Sequence, residues 1–299
     1  MARTEALERA ERMFTQMVPG AGSDIHQRRA GYERMMASFV PPADARIEAL
    51  ELGGVPVIRV AAPASDPRRV LIFTHGGGYM MGSAAGYREF GYALSRASGA
   101  EVLLVDYRLA PEHPFPAAVD DVLAVYRAVR EDPSVGEVFL AGDSAGGGLI
   151  LGSAMAIRDA GLPRPAGVIA ISPLTDATAS GASMESNREA DPVVRREGVL
   201  RGTGHFYLGD RPADQHPYAS PHHGDKHGLP PLLLLVGSTE ALRDDAVRFH
   251  ADVGAAGGVS RLIVAEDMVH IWPIFSSFLP EAAEAVDAIG AFVREQGTR

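Results

Sequence analysis

Val138-Phe139-Leu140-Ala141-Gly142-Asp143-Ser144-Ala145-Gly146-Gly147-Gly148 reads as a short buried strand, a Gly-x-Ser-x-Gly turn and the start of an apolar helix. That order is what a nucleophile elbow requires. The serine sits on a strained strand-to-helix turn, and Gly142 and Gly146, two residues to either side, leave room for close backbone packing. The turn lifts the Ser144 hydroxyl clear of a sheet, and the helix N-terminus behind it favours developing negative charge. Taken alone the pattern is weak. A chain with 33 glycines can produce it as a glycine-rich strand-helix joint around a structural serine.

Outward from this stretch, strands and helices alternate. Upstream, Ile47–Leu52 and Val55–Val60 flank Gly53-Gly54 as an antiparallel hairpin, and Val70–Thr74 is a nearly continuous apolar run suited to a strand buried on both faces. A helix near 84–98, a strand at Glu101–Tyr107, a helix near 116–131 and the elbow strand at 137–142 follow, with the elbow helix running to about 160. Downstream come strands at Gly167–Ser172, Pro231–Val236 and Arg261–Ala265, with helices near 241–255 and 280–295. This alternation predicts an α/β fold with a mostly parallel, twisted sheet of about eight strands covered by helices on both faces. Before the hairpin, residues 4–19 and 24–40 read as two methionine-rich helices separated by a breaker at Val18–Ser23. They are either core packing or a lid, since methionine adapts to irregular apolar ligands. The alternation lapses over 176–228, where one helix near 192–207 is expected within a Gly/Ser/Asp/Pro/His-rich insertion.

Composition narrows the function. The chain has 299 residues, of which 46% are hydrophobic, enough for a large core. The net charge is −10 with no basic stripe, which argues against nucleic-acid and anionic-membrane partners. The absence of cysteine excludes disulfides, thiolate metal sites and cysteine nucleophiles. No signal-peptide-like apolar segment is visible near Met1, and no apolar run could span a bilayer, so a cytoplasmic location without stable membrane insertion is expected.

Directly after the strand at 70–74 comes His75-Gly76-Gly77-Gly78. A glycine run at a strand end exposes N–H groups as an oxyanion hole requires, with the Ala145 N–H as a second contribution. A phosphate-cradling loop is the competitor, but the lysine-bearing pattern it needs is absent. His270 follows the last apolar strand through Glu266-Asp267-Met268-Val269, the position from which a general base can reach Ser144. Two carboxylates could orient it, Glu240 after the strand at 231–236 and Asp176 after the strand at 167–172. Glu240 is preferred, because its strand immediately precedes the one that delivers His270 and because Asp176, between Thr175 and Thr178, has a ready role capping a turn. The order Ser144, Glu240, His270 is the one α/β hydrolases use. His222, His223 and His227 lack regular ligand spacing, so no metal is expected.

His75-Gly76-Gly77-Gly78, the run from Asp106 to Ala117 (DYRLAPEHPFPA), and Gly142-Asp143-Ser144-Ala145-Gly146 together resemble the bacterial hormone-sensitive-lipase-like esterases, over about residues 45–295. The resemblance implies an α/β-hydrolase fold, a helical cap made from an N-terminal segment (1–44) plus the 176–228 insertion on a catalytic domain (45–299), and hydrolysis of short- to medium-chain carboxylic esters without cofactor or metal. It also implies a possible homodimer. His75, Asp143, Gly142 and Gly146 enter as supporting motif residues. Asp106, Arg108 and Glu112 have no derived catalytic role and could form a buried ion-pair network. The expected activity is that of a serine esterase on small apolar esters. The alternatives are a lactone hydrolase with the same triad and a non-catalytic small-molecule receptor.

Overall fold

The computed structural model describes residues 4–17, 23–209 and 211–297. Its strands are β1 (Arg46–Leu52), β2 (Val55–Ala61), β3 (Asp66–Thr74), β4 (Ala100–Val105), β5 (Glu137–Asp143), β6 (Gly167–Ile171), β7 (Leu232–Gly237) and β8 (Ser260–Ala265). Its α-helices are α1 (Glu5–Met17), α2 (Ile25–Met36), α3 (Arg88–Ser98), α4 (Ala117–Glu131), α5 (Ala145–Asp159), α6 (Ser183–Ser186), α7 (Arg196–Val199), α8 (Arg243–Ala255) and α9 (Pro280–Gln296). The eight strands lie in the order β1-β2-β4-β3-β5-β6-β7-β8. β2 runs antiparallel to both β1 and β4, and the remaining pairs are parallel.

Alternation along the central strands explains the two helical layers. Val70 and Ile72 of β3 turn to the face covered by α4, α5 and α8, whereas Leu71 and Phe73 turn to the face covered by α3 and α9. All four are buried, and each apolar side chain removed from water contributes roughly 1.5–3 kcal/mol. The strand at 70–74 begins earlier than expected, at Asp66, because Asp66 pairs with Ala100 of β4 across a register shift before Val70 and Arg69 pairs with Glu137 of β5.

The expected helix over 192–207 is not a regular one. Four residues of α7 run into a π-helical stretch at Leu200–Tyr207. Gly198, Gly202 and Gly204 interrupt the side-chain stripe that would otherwise hold a longer α-helix. The breaker expected at 18–23 lies, apart from Ser23, outside the described residues. Among the described residues no helix is long and apolar enough to cross a membrane.

α1 and α2 pack on one another over the sheet's C-terminal edge. Phe14 of α1 meets Phe275 edge-on at 5.2 Å. α2 begins on a capping box between Asp24 and Gln27. Arg29 ties α2 to the sheet domain, donating to both carboxylate oxygens of Glu112 (2.8 and 2.6 Å), to the Met80 carbonyl (2.7 Å) and to the Ala110 carbonyl (3.0 Å). The Arg29 hydrogen bonds hold the Glu112 carboxyl down at about 2. The buried network suggested for Asp106, Arg108 and Glu112 therefore does not exist. Arg108 pairs with Asp121, Asp106 accepts from the Ala84 amide, Glu112 holds α2, and all three are exposed at the surface. Arg29→Ala should lower stability by roughly 1–3 kcal/mol and speed proteolysis before residue 40, read by limited trypsinolysis against thermal melting. An unchanged cleavage pattern would contradict the clamp.

Candidate active site

Parallel strand ends gather the site. β3, β5, β6, β7 and β8 all finish at one edge, and the loops leaving them carry Gly76–Gly78, Ser144, Ser172, Glu240 and His270. Ser144 sits at φ 54°, ψ −121°, between β5 and α5. The turn is that tight because Gly142 and Gly146 nearly touch: a Cβ on Gly142 would come within 2.4 Å of the Gly146 carbonyl oxygen, and one on Gly146 within 2.2 Å of the Thr74 carbonyl oxygen. No larger residue fits at either position without moving β3 or β5.

Ser144 Oγ lies 2.8 Å from His270 Nε2, and His270 Nδ1 lies 2.8 Å from Glu240 Oε2. His270 and Glu240 are buried, while Ser144 is partly open to the cavity. The carboxylate fixes the tautomer: Nδ1–H donates to Glu240, leaving Nε2 to accept the Ser144 proton. Glu240 Oε1 accepts from Ser172 Oγ (2.8 Å) and the Gly237 amide (2.5 Å). Burial pushes the Glu240 carboxyl up, His270 and the Gly237 amide oppose it, and the net shift is upward. Burial pushes the His270 imidazole down, but the Glu240 hydrogen bond and charge outweigh it, and the net shift is upward from 6.5.

Asp176 does not reach His270. It caps its own loop, accepting from Thr178, Ser180 and Arg248. Burial would raise its carboxyl, yet these donors hold it well below the usual range. His222, His223 and His227 face three different carboxylates, those of Asp252, Asp176 and Asp225.

The glycine loop requires one correction. The Gly76 N–H is already engaged, donating to Asp143 Oδ1 at 2.9 Å, so it is not free for an oxyanion. Among the described residues the amides of Gly77, Gly78 and Ala145 have no protein acceptor. Gly77 and Gly78 border the same cavity as Ser144 and His270. Gly77 stands at φ +115°, a conformation reserved for glycine. His75 shapes this loop without touching Ser144: its Nδ1–H donates to the Gly76 carbonyl (2.8 Å) and its ring stacks on Tyr107 at 4.4 Å. Burial pushes its imidazole down, leaving it neutral.

Several residues that no motif marked hold the constellation. Ser172, at φ 46°, donates to Glu240 and accepts from the Ile271 amide (3.0 Å), tying Glu240 to the loop that carries His270. Asn187 donates to the Glu240 carbonyl (2.8 Å), and Asp191 accepts from the Ala241 amide (2.8 Å). The legible signal was only that 176–228 is polar and too long for a plain connection.

Above Ser144 is a cavity of about 170 Å³. Phe14, Met17, Tyr32, Met80, Met81, Leu174, Val193, Val194, Val199 and Leu242 make it predominantly apolar, with Arg28 and Arg195 also on its wall. The N-terminal helices and residues 193–203 roof it. The rest of the insertion packs elsewhere, Pro221–His223 lying against α5 and α8.

A family described by the α/β-hydrolase fold matches residues 71–274. The chain is 39% identical to an esterase from the bacterial hormone-sensitive lipase family, with a TM-score of 0.95 over 99% of each chain. It belongs to that family. Among curated relatives, this hormone-sensitive-lipase-like chain is 40% identical to an acetyl-hydrolase of Streptomyces hygroscopicus, over 91% of its own length and 90% of the relative's. It is 34% identical to the carboxylesterase NlhH of Mycobacterium tuberculosis, over 77% and 72%.

A base with a raised pKa stays protonated, and so unable to accept the Ser144 proton, to higher pH. The acid limb of kcat/KM should therefore lie above the ordinary imidazole value of about 6.5, and Glu240→Gln should move it down. A limb unmoved in Glu240→Gln would assign it to another group, Asp143 being the first choice, since burial pushes that carboxyl up to about 7.

Proposed function

We propose that this protein is a serine carboxylesterase that hydrolyses short- to medium-chain esters through an acyl-enzyme on Ser144. The observation that carries the reading is the unbroken line Glu240–His270–Ser144, with 2.8 Å at each junction, opening into an apolar cavity. Relatives named acetyl-hydrolase, carboxylesterase and esterase support ester hydrolysis as the reaction class.

The geometry supports the following sequence. Ser144 Oγ attacks the ester carbonyl as His270 Nε2 takes its proton, and Glu240 stabilises the imidazolium without itself accepting that proton. The carbonyl oxygen becomes an oxyanion, and the amides of Gly77, Gly78 and Ala145 donate to it, aided by the positive end of α5. Collapse expels the alcohol, which leaves with the proton from His270. Water, deprotonated by the same imidazole, attacks the acyl-Ser144 ester. The second tetrahedral adduct then releases the acid and returns the proton to Ser144. Apolar side chains above the site favour uncharged alkyl acyl groups by burying them.

Ser144→Ala should lose on the order of 10⁶ in kcat while keeping its melting temperature. Glu240→Gln should lose roughly 10⁴ at neutral pH by misorienting the imidazole, and Asp176→Asn should lose little beyond stability. Steady-state assays on p-nitrophenyl butyrate measure all three. Activity retained in a folded Ser144→Ala variant would overturn the mechanism, and a reversed order of the two acid variants would move the acid to Asp176.

A further inference from the structure

A second line of hydrogen bonds reaches the elbow through Asp143. Asp143, the residue before Ser144, is fully buried and has no arginine or lysine within ion-pair distance among the described residues. Its Oδ1 accepts from the Gly76 amide (2.9 Å) and its Oδ2 accepts from the Tyr87 hydroxyl (2.8 Å). The Tyr87 oxygen also lies 3.3 Å from the Gly76 amide and 2.6 Å from the Tyr32 hydroxyl. With the Asp143 carboxyl ionised, proton counting fixes the direction. A phenol has one hydrogen, and that of Tyr87 is committed to Asp143. Tyr32 must therefore donate to Tyr87, and the line runs one way: Tyr32 to Tyr87 to Asp143.

The two ends belong to different parts of the fold. Tyr32 lies on α2, on the wall of the cavity over Ser144. Gly76 precedes Gly77 and Gly78, which border the same cavity. We infer that Tyr32 and Tyr87 are positioning residues for the reaction, holding the glycine loop in register with Ser144 through Asp143 only while helix α2 is seated. Removing the Tyr87 hydroxyl leaves a buried carboxylate short of a donor and Tyr32 without an acceptor. Asp143 then turns toward other donors and takes the Gly76 amide with it. The ring itself packs on Phe73 and His75, so Tyr87→Phe keeps the packing and removes only the relay. Tyr32→Phe is milder, because Tyr87 keeps its bond to Asp143.

The inference rests on reading Ser144 as the nucleophile, and the test keeps the two apart. Wild type, Tyr32→Phe, Tyr87→Phe and the double variant are assayed for kcat and KM on p-nitrophenyl butyrate, for inhibition by an alkyl trifluoromethyl ketone, whose adduct carries an oxyanion, and for melting temperature. Tyr87→Phe should lower kcat roughly 10- to 100-fold with KM within about threefold, and weaken the ketone in proportion. Tyr32→Phe should lower kcat by a smaller factor of roughly 3 to 10. The double variant should be no slower than Tyr87→Phe, because the hydroxyl it removes has already lost its acceptor. An unchanged kcat in Tyr87→Phe, even with a lowered melting temperature, would overturn the inference, as would losses that multiply in the double variant. If Tyr87→Phe fails to fold, Tyr32→Phe carries the test, and unchanged kcat and ketone affinity there would overturn it. Residual activity in Ser144→Ala instead removes the nucleophile reading. A dead Ser144→Ala beside a fully active Tyr87→Phe removes the relay alone.

Discussion

The backbone of Ser144 is held at φ 54°, ψ −121°, a conformation that costs of order 1–3 kcal/mol for a residue with a side chain. Close packing of β3, β5 and α5 keeps it there. Ser144's amide donates to the Ile171 carbonyl (2.8 Å) and its carbonyl accepts from the Gly148 and Leu174 amides (3.0 Å each). Thr74 Oγ1 donates to the Gly146 carbonyl (2.8 Å), tying the β3 end to the first turn of α5. With the turn so determined, Oγ stands off the sheet edge, where the neighbouring strand ends bring His270 to 2.8 Å and leave the Gly77 and Gly78 amides unpaired among the described residues.

Much of this was legible in sequence because it depends on spacing. Gly142 and Gly146 have a pattern, His270 follows the last apolar strand, and Glu240 follows the strand beside it. The preference for Glu240 over Asp176 as His270's partner was a topological argument. In the structure β7 and β8 are parallel neighbours, and Asp176 is turned into its own loop. What stayed hidden depends on side-chain direction. Nothing in the run from His75 to Gly78 says that Asp143 already holds the first free-looking amide. Ser172 lies at a strand end without any motif. Asp106, Arg108 and Glu112 are close in sequence and were natural candidates for one network, yet they point to three separate partners. The insertion was irregular in sequence because it is irregular in space, with one part over the cavity and another against α5 and α8.

The same site is gripped from two directions. From the sheet side, Ser172 joins Glu240 to the loop carrying His270. From the α2 side, Arg29 grips Glu112 and two loop carbonyls, while Tyr32 reaches Asp143 through Tyr87. Residues 193–203 complete the roof, and Asn187 and Asp191 of the same insertion hold the Glu240–Ala241 backbone. Part of the cavity wall and two of the groups that hold the Glu240–Ala241 backbone are thus parts of one segment.

The central claim is that Ser144 becomes covalently acylated, and stoichiometric labelling with an alkyl fluorophosphonate tests it most directly. One equivalent should abolish ester hydrolysis, and peptide mass spectrometry should place a single adduct on the peptide containing Ser144. Full activity after Ser144 is modified, or inactivation with the adduct on another residue, would contradict the account.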